Sequence, residues 1–171
     1  MPGNGAQAGG TAYKGGRTIR VDPMKTPSAA IPETAERRAE LSRSITFATG
    51  LDEATLDRLV RAFYGAARLD TVLGPIFAHI TDWEAHIAQI RDFWSSVALM
   101  TGRYHGQPMA AHLPLGLEPA HFARWLELFE ITARDICSPA GVDHLMQRAR
   151  RIAQSLDLGI AANRGMLPLR D

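Results

Sequence analysis

Apolar residues recur every three or four positions along most of the chain, and glycine and proline mark the intervals between these runs. The first strong stripe is Leu56, Leu59, Val60, Phe63, Tyr64 and Ala67, at i, i+3, i+4, i+7, i+8 and i+11, the spacing of one helix face turned to a core. Asp52 is placed to cap that helix. Gly74-Pro75 breaks the chain and throws Ile76 and Phe77 inward before a new cap at Thr81 or Asp82. A second stripe, His86, Ile90, Phe93, Val97 and Met100 with Trp83, Ile87 and Trp94 beside it, predicts a helix that Thr101-Gly102 ends. His86 thus stands in the apolar lane and not in the solvated one.

Two prolines then frame a very short element. Pro108 suits a first helical turn and Pro114 forbids a long continuation, so the helix carrying His112 has barely more than one turn and depends on what it leans on. Pro119 opens a long helix to about Cys137, with Phe122, Trp125, Phe129, Thr132 and Ile136 on one face. Ser138-Pro139-Ala140-Gly141 is expected to stop it, and a last helix from Asp143 to about Leu158 buries Leu145, Ala149, Ile152 and Leu156. Residues 159–171 read as a frayed tail. No segment alternates with period two, which predicts an all-α domain over residues 51–158. Before it, six of the first sixteen residues are glycine, so residues 1–50 read as a disordered extension with an exposed helix near 33–46.

Composition narrows the chemistry. The chain has 171 residues, 46% of them hydrophobic, enough for one core. Its 19 basic and 18 acidic side chains give a formal net charge of +1, which argues against nucleic acid as a partner. Cys137 is the single cysteine, so no internal disulfide framework exists, and the six histidines include no pair at zinc spacing. No apolar run reaches the roughly 18 residues of a membrane span, and the start resembles no signal peptide. A cytoplasmic protein with no membrane partner is expected.

Each notable side chain has a plain explanation when taken alone. Tyr64 at the end of an apolar stripe reads as an amphipathic core residue, Trp125 between Phe122 and Phe129 as core, and an inward histidine as a hydrogen-bonded filler. Spacing alone gives a soluble helical domain, and a helical interaction module with no cofactor satisfies it.

The combination is more specific. Phe63-Tyr64, Leu73-Gly74-Pro75-Ile76-Phe77, Trp83 with His86, Phe93-Trp94, Tyr104-x-Gly106-x-Pro108-x-x-x-His112 and His121-Phe122-x-x-Trp125-Leu126-x-Leu128-Phe129 together closely resemble the group III truncated hemoglobins, over residues 51 to 158. The resemblance implies a two-over-two helical sandwich that holds heme b, iron protoporphyrin. It implies His112 as the proximal iron ligand, with Tyr64, His86 and Trp125 on the distal side. Phe77 would wedge against the heme face, Ile90, Phe93 and Trp94 would line the pocket, and Phe63 and Met109 would touch the heme.

Those assignments carry chemistry. One axial imidazole leaves the sixth position of the iron open for oxygen, nitric oxide or another diatomic ligand. A phenol O–H and an indole N–H, at roughly 1.5 to 3 kcal/mol each, would slow oxygen loss by something like 10² to 10⁴. His86 either adds a third bond or swings as a gate. Apolar neighbours leave the second nitrogen of His112 to a backbone carbonyl such as that of Pro108, which favours weak peroxidase activity at most. The expected function is oxygen-dependent redox chemistry such as nitric oxide detoxification with a separate reductase, the alternative being oxygen storage or sensing.

Overall fold

In the computed structural model residues 34–165 are described. The disordered extension expected over residues 1–33 and the tail expected over residues 166–171 fall outside them. Every described element is helical: α1 (Ala35–Thr49), α2 (Glu53–Leu69), α3 (Trp83–Leu99), α4 (Pro108–His112), α5 (Pro119–Ile136) and α6 (Pro139–Asn163), with single 3-10 turns at Gly74–Phe77 and Leu113–Leu115. Polar side chains start four of them. Thr34, Asp52, Asp82 and Ser138 each accept a backbone N–H from the first turn of α1, α2, α3 and α6, donors that a helix cannot satisfy from within.

Helix α2 packs on both α3 and α5, and α5 packs on α6. The pair α2/α3 therefore lies across the pair α5/α6, the two-over-two sandwich expected. Phe63, Trp94 and Phe129 meet at its centre and none is more than 1% exposed. Phe63 stands edge-on to Phe129 with ring centroids 5.2 Å apart, and Trp94 stacks on Phe129 at 4.7 Å. Burying each such ring contributes about 1.5–3 kcal/mol, far more than the helix propensities at stake.

Three boundaries differ from the sequence expectation. Helix α1 continues past residue 46 to Thr49, where Gly50 takes the left-handed conformation at φ 70°. It is mostly exposed, as expected, but Ile45 reaches the core. Ser138 does not merely stop α5. Its hydroxyl donates to the Thr49 carbonyl at 2.6 Å and accepts the Gly141 N–H at 3.0 Å, so it closes α1 and opens α6 together. Pro139 then occupies the first turn of α6, where its missing N–H costs nothing. Helix α6 also continues through residues 159–163 instead of fraying, because Ile160 is buried.

The C-terminal end of α3 is closed from outside. Met100 has φ 60°, and the Val97 and Ala98 carbonyls have lost their intrahelical partners. Arg148 of α6 donates to the Val97 carbonyl at 2.9 Å and His144 Nε2 donates to that of Ala98 at 2.8 Å. Burial holds the His144 imidazole below its ordinary pKa of 6.5, outweighing the Ala98 bond that favours its charged form; nearby Arg148 adds to the lowering. The unfolded chain therefore binds a proton that the folded chain resists, and stability present above pH 6.5 is lost as pH falls through the depressed folded value. Urea midpoints at about pH 7.5 and about pH 5.5 should differ more for the wild type than for His144→Gln, whose amide donates without titrating. Equal differences would remove His144 from the account.

Candidate functional site

A cavity of about 360 Å³ lies between the two helix pairs, within the size range of small-molecule and cofactor sites. Each helix from α2 to α6 lends a face to it. Tyr64 comes from the last turns of α2, and Ile76 and Phe77 from the 3-10 turn that follows. Asp70 fixes that turn. Its Oδ1 accepts the N–H groups of Val72 and Leu73, and its Oδ2 receives Arg124 Nε from α5 at 2.9 Å. Arg124, more than the two backbone bonds, holds the carboxyl below its ordinary range. A side chain on Gly74 would run into the Arg68 carbonyl 2.7 Å away, so only glycine lets the turn fold back this closely.

Helix α3 contributes His86, Gln89, Ile90 and Phe93, at i, i+3, i+4 and i+7. Tyr104 follows in the loop after α3, with its N–H on Ser96 Oγ at 2.8 Å and its ring edge-on to Phe93 at 5.2 Å. A Cβ on Gly106 would collide with the Tyr104 phenol, which explains a glycine there. Pro108, Ala111 and His112 of α4 face the cavity at i, i+3 and i+4. His121, Phe122 and Trp125 of α5 and Ile152 and Leu156 of α6 complete it. Among the described residues no Lys, Arg, Asp or Glu lines the cavity.

Four histidines line this space, and their hydrogen bonds separate them. His112 Nδ1 lies 2.6 Å from the Pro108 carbonyl. A carbonyl only accepts, so Nδ1 carries the proton and Nε2 keeps a lone pair. His121 is the reverse case: its Nδ1 accepts the Glu118 N–H at 3.0 Å, so in the neutral ring Nε2 bears the proton and cannot bind a metal. His86 Nε2 is buried and has no protein partner. Burial, then the neighbouring His79 and His112, hold its pKa below 6.5. His79 is exposed at the edge.

Tyr64 lines the cavity from α2. Burial pushes its pKa up to about 12, and the neighbouring Trp125 side chain offsets only part of that rise. The phenol is thus a neutral O–H donor at any physiological pH.

Of the ten residues that the resemblance nominates, the structure brings Tyr64, Phe77, His86, Ile90, Phe93, His112 and Trp125 around one cavity and leaves three outside it. Phe63 is wholly buried behind Tyr64 and Trp125, edge-on to each at 4.7 and 5.8 Å. Phe63 thus faces the centre of the sandwich while Tyr64, its neighbour on α2, faces the cavity. Trp94 belongs to the buried stripe of Ile87 and Ala98 and stacks on Trp125 from behind at 6.4 Å. Met109, one residue round from the Pro108 face, lies against Gly159 of α6. Sequence reasoning assigned no site role to Gln89, Tyr104, His121 or Phe122. Gln89 at i+3 from His86, and His121 at i−4 from Trp125, share a helix face with a nominated residue, and that signal could have found them.

The comparisons with known proteins agree with this architecture. No family model matches the chain. The group 3 truncated hemoglobin ctb of Campylobacter jejuni subsp. jejuni serotype O:2 is 34% identical to it over 109 residues, covering 60% of this chain and 86% of that protein. This chain belongs to the group III truncated hemoglobins. The crystal structure of group III truncated hemoglobin from Campylobacter jejuni matches it with a TM-score of 0.60 at 34% identity, over 64% of this chain and 91% of that one. Membership brings the family's cofactor, heme, and with it ligand binding at heme. Among the described residues no three His, Cys, Asp or Glu side chains converge as a metal site; heme carries four ligands to its iron in its own macrocycle. The residues fit such a group: apolar walls from Phe77, Ile90, Phe93 and Phe122, one imidazole with a bare nitrogen, and a phenol donor. Among the described residues no helix is long and apolar enough to cross a membrane.

Proposed function

We propose that this chain binds heme b through His112 Nε2 and holds a diatomic ligand, oxygen first, under Tyr64, Trp125 and His86. The observation that carries this reading is the bond from His112 Nδ1 to the Pro108 carbonyl, which leaves Nε2 bare on a ring that lines the same cavity as Tyr64. Heme, when bound, supplies an iron with one position open to such a ligand. The protein's own part is donation and exclusion. Tyr64 gives its O–H to the ligand, and on this reading the Trp125 indole, which already lowers the phenol pKa, supports that donor from beside it. Apolar walls keep bulk water away from that donor, which strengthens its bond to an acceptor of partial negative charge.

The bond on the far side of His112 limits the reaction type. Pro108 offers a neutral carbonyl where a carboxylate would make the imidazole more basic. Weak electron release from this side disfavours efficient peroxide cleavage and suits oxygen held tightly for redox use. We therefore favour oxidation of nitric oxide to nitrate, NO + O₂ + e⁻ → NO₃⁻, with a separate reductase supplying the electron. The lone, half-buried Cys137 suits a reducing compartment such as the cytoplasm.

Purified protein produced with adequate iron should be red, with a strong Soret band. Its ferrous oxygenated form, mixed with nitric oxide, should yield one nitrate per heme within the mixing time and recover when a reductant is added. Colourless protein would overturn the heme reading. A red protein that forms no nitrate would overturn the reaction and leave the binding site.

A further inference from the structure

We propose that Arg68 and Trp83 form a latch that holds the His86 imidazole inside the cavity and so sets how fast a small ligand gets in. The inference rests on the heme reading of that cavity and goes beyond it, since neither residue lines the cavity itself.

Three aromatic rings surround the His86 imidazole. Tyr64 stands edge-on to it at 6.2 Å, Phe77 is inclined to it at 6.2 Å, and Trp83 is tilted over it at 5.6 Å. Tyr64 and Phe77 belong to the cavity wall and Trp83 does not. Trp83 is therefore the ring on the outer side of the imidazole. His86 also sits where the cavity meets solvent, since Gln89, one turn along the same face of α3, is exposed, as is His79. An imidazole that swings out from the cavity has to displace Trp83.

Trp83 is fastened in turn. Phe77 stands edge-on to it at 6.0 Å, and the Arg68 guanidinium lies 4.2 Å over its ring centre. Arg68 is exposed at the end of α2, while Trp83 opens α3, so this contact ties the end of one helix to the start of the next around the imidazole. Among the described residues no group partners His86 Nε2. The ring contacts with Tyr64, Phe77 and, on the open side, Trp83 are what confine the imidazole. A cation over an exposed ring shifts a two-state equilibrium about two- to fivefold. If His86 is inward most of the time, ligand association scales with the small outward fraction, so releasing the latch raises the rate by that same factor.

The test is carbon monoxide association with the full-length ferrous holoprotein, read by flash photolysis, together with the C–O stretching frequency, which senses whether the imidazole is near. Arg68→Met keeps the aliphatic stem and removes the cation. It should raise the association rate about two- to fivefold and move the C–O band toward that of His86→Ala. Arg68→Lys, which keeps a cation over the ring, should stay near wild type. In a His86→Ala background, Arg68→Met should change nothing further, an outcome that a merely structural role for Arg68 would not give. An unchanged rate and band for Arg68→Met, or an effect that persists without His86, would overturn the latch. A His86→Ala variant that matches wild type in both readouts would overturn the latch together with the distal role of His86, while retained Soret absorption would still leave the heme reading standing.

Discussion

Replacing His112 by glycine is expected to release heme from the protein by more than about a hundredfold faster transfer to a competing apoglobin. Losing only the outer partner of a metal-bound imidazole costs about 10–100-fold in metal affinity, so losing the imidazole itself should cost at least the upper end of that range. The substitution leaves the frame intact. His112 ends a helix of five residues, and the 3-10 turn at Leu113–Leu115 follows directly, so glycine costs about 1 kcal/mol there. Added imidazole should enter the gap, restore the wild-type visible spectrum and slow heme transfer. Wild-type spectrum and transfer rate in the variant without added imidazole would move the ligand role elsewhere. His86 is then the next histidine to test, since its buried Nε2 has no protein partner, whereas His121 is ruled out as a neutral-ring ligand by its bond from Glu118.

What the sequence made legible follows from what periodicity encodes. The stripes on α2, α3 and α5 told which residues face inward, and burial of Leu56, Leu59, Phe63, Trp94 and Phe129 agrees. A stripe does not tell whether inward means core or cavity. Phe63 and Tyr64 are neighbours with similar rings, yet one fills the centre and the other lines the hollow, a choice made by about 100° of helix rotation and by what α5 sets opposite. Trp94 and Met109, likewise, lie outside the lining of the cavity. The short α4 was legible because prolines at 108 and 114 act through covalent geometry, which tertiary packing cannot override. Ser138 misled because one hydroxyl serves two helix ends, one of them 89 residues away in sequence. Tautomers and the Arg68 contact lie further from reach. Nothing local in Arg68 and Trp83, fifteen positions apart, announces that the end of one helix meets the start of the next.

Tyr64→Phe is expected to speed oxygen dissociation from the ferrous holoprotein by about 10- to 150-fold, the equivalent of one hydrogen bond to a partly charged acceptor at roughly 1.5–3 kcal/mol. Trp125→Phe should do less, about two- to tenfold, because on the proposed reading its indole, which lowers the Tyr64 pKa, acts on the ligand through the phenol. This arrangement changes the expectation drawn from sequence, in which phenol and indole each contribute a full bond. Two independent bonds would make the double variant the product of the single ones, whereas a phenol steered by an indole makes it close to Tyr64→Phe alone. Stopped-flow displacement of oxygen by carbon monoxide on the four proteins measures this coupling directly. The wild-type rate should also stay level from about pH 7 to about pH 10, because a phenol with its pKa pushed up to about 12 keeps its proton where an ordinary tyrosine begins to lose it. A Tyr64→Phe rate within about twofold of wild type would remove the phenol from ligand binding. A fully multiplicative double variant would retain it but break the indole-to-phenol relay, leaving Trp125 as a separate donor to the ligand.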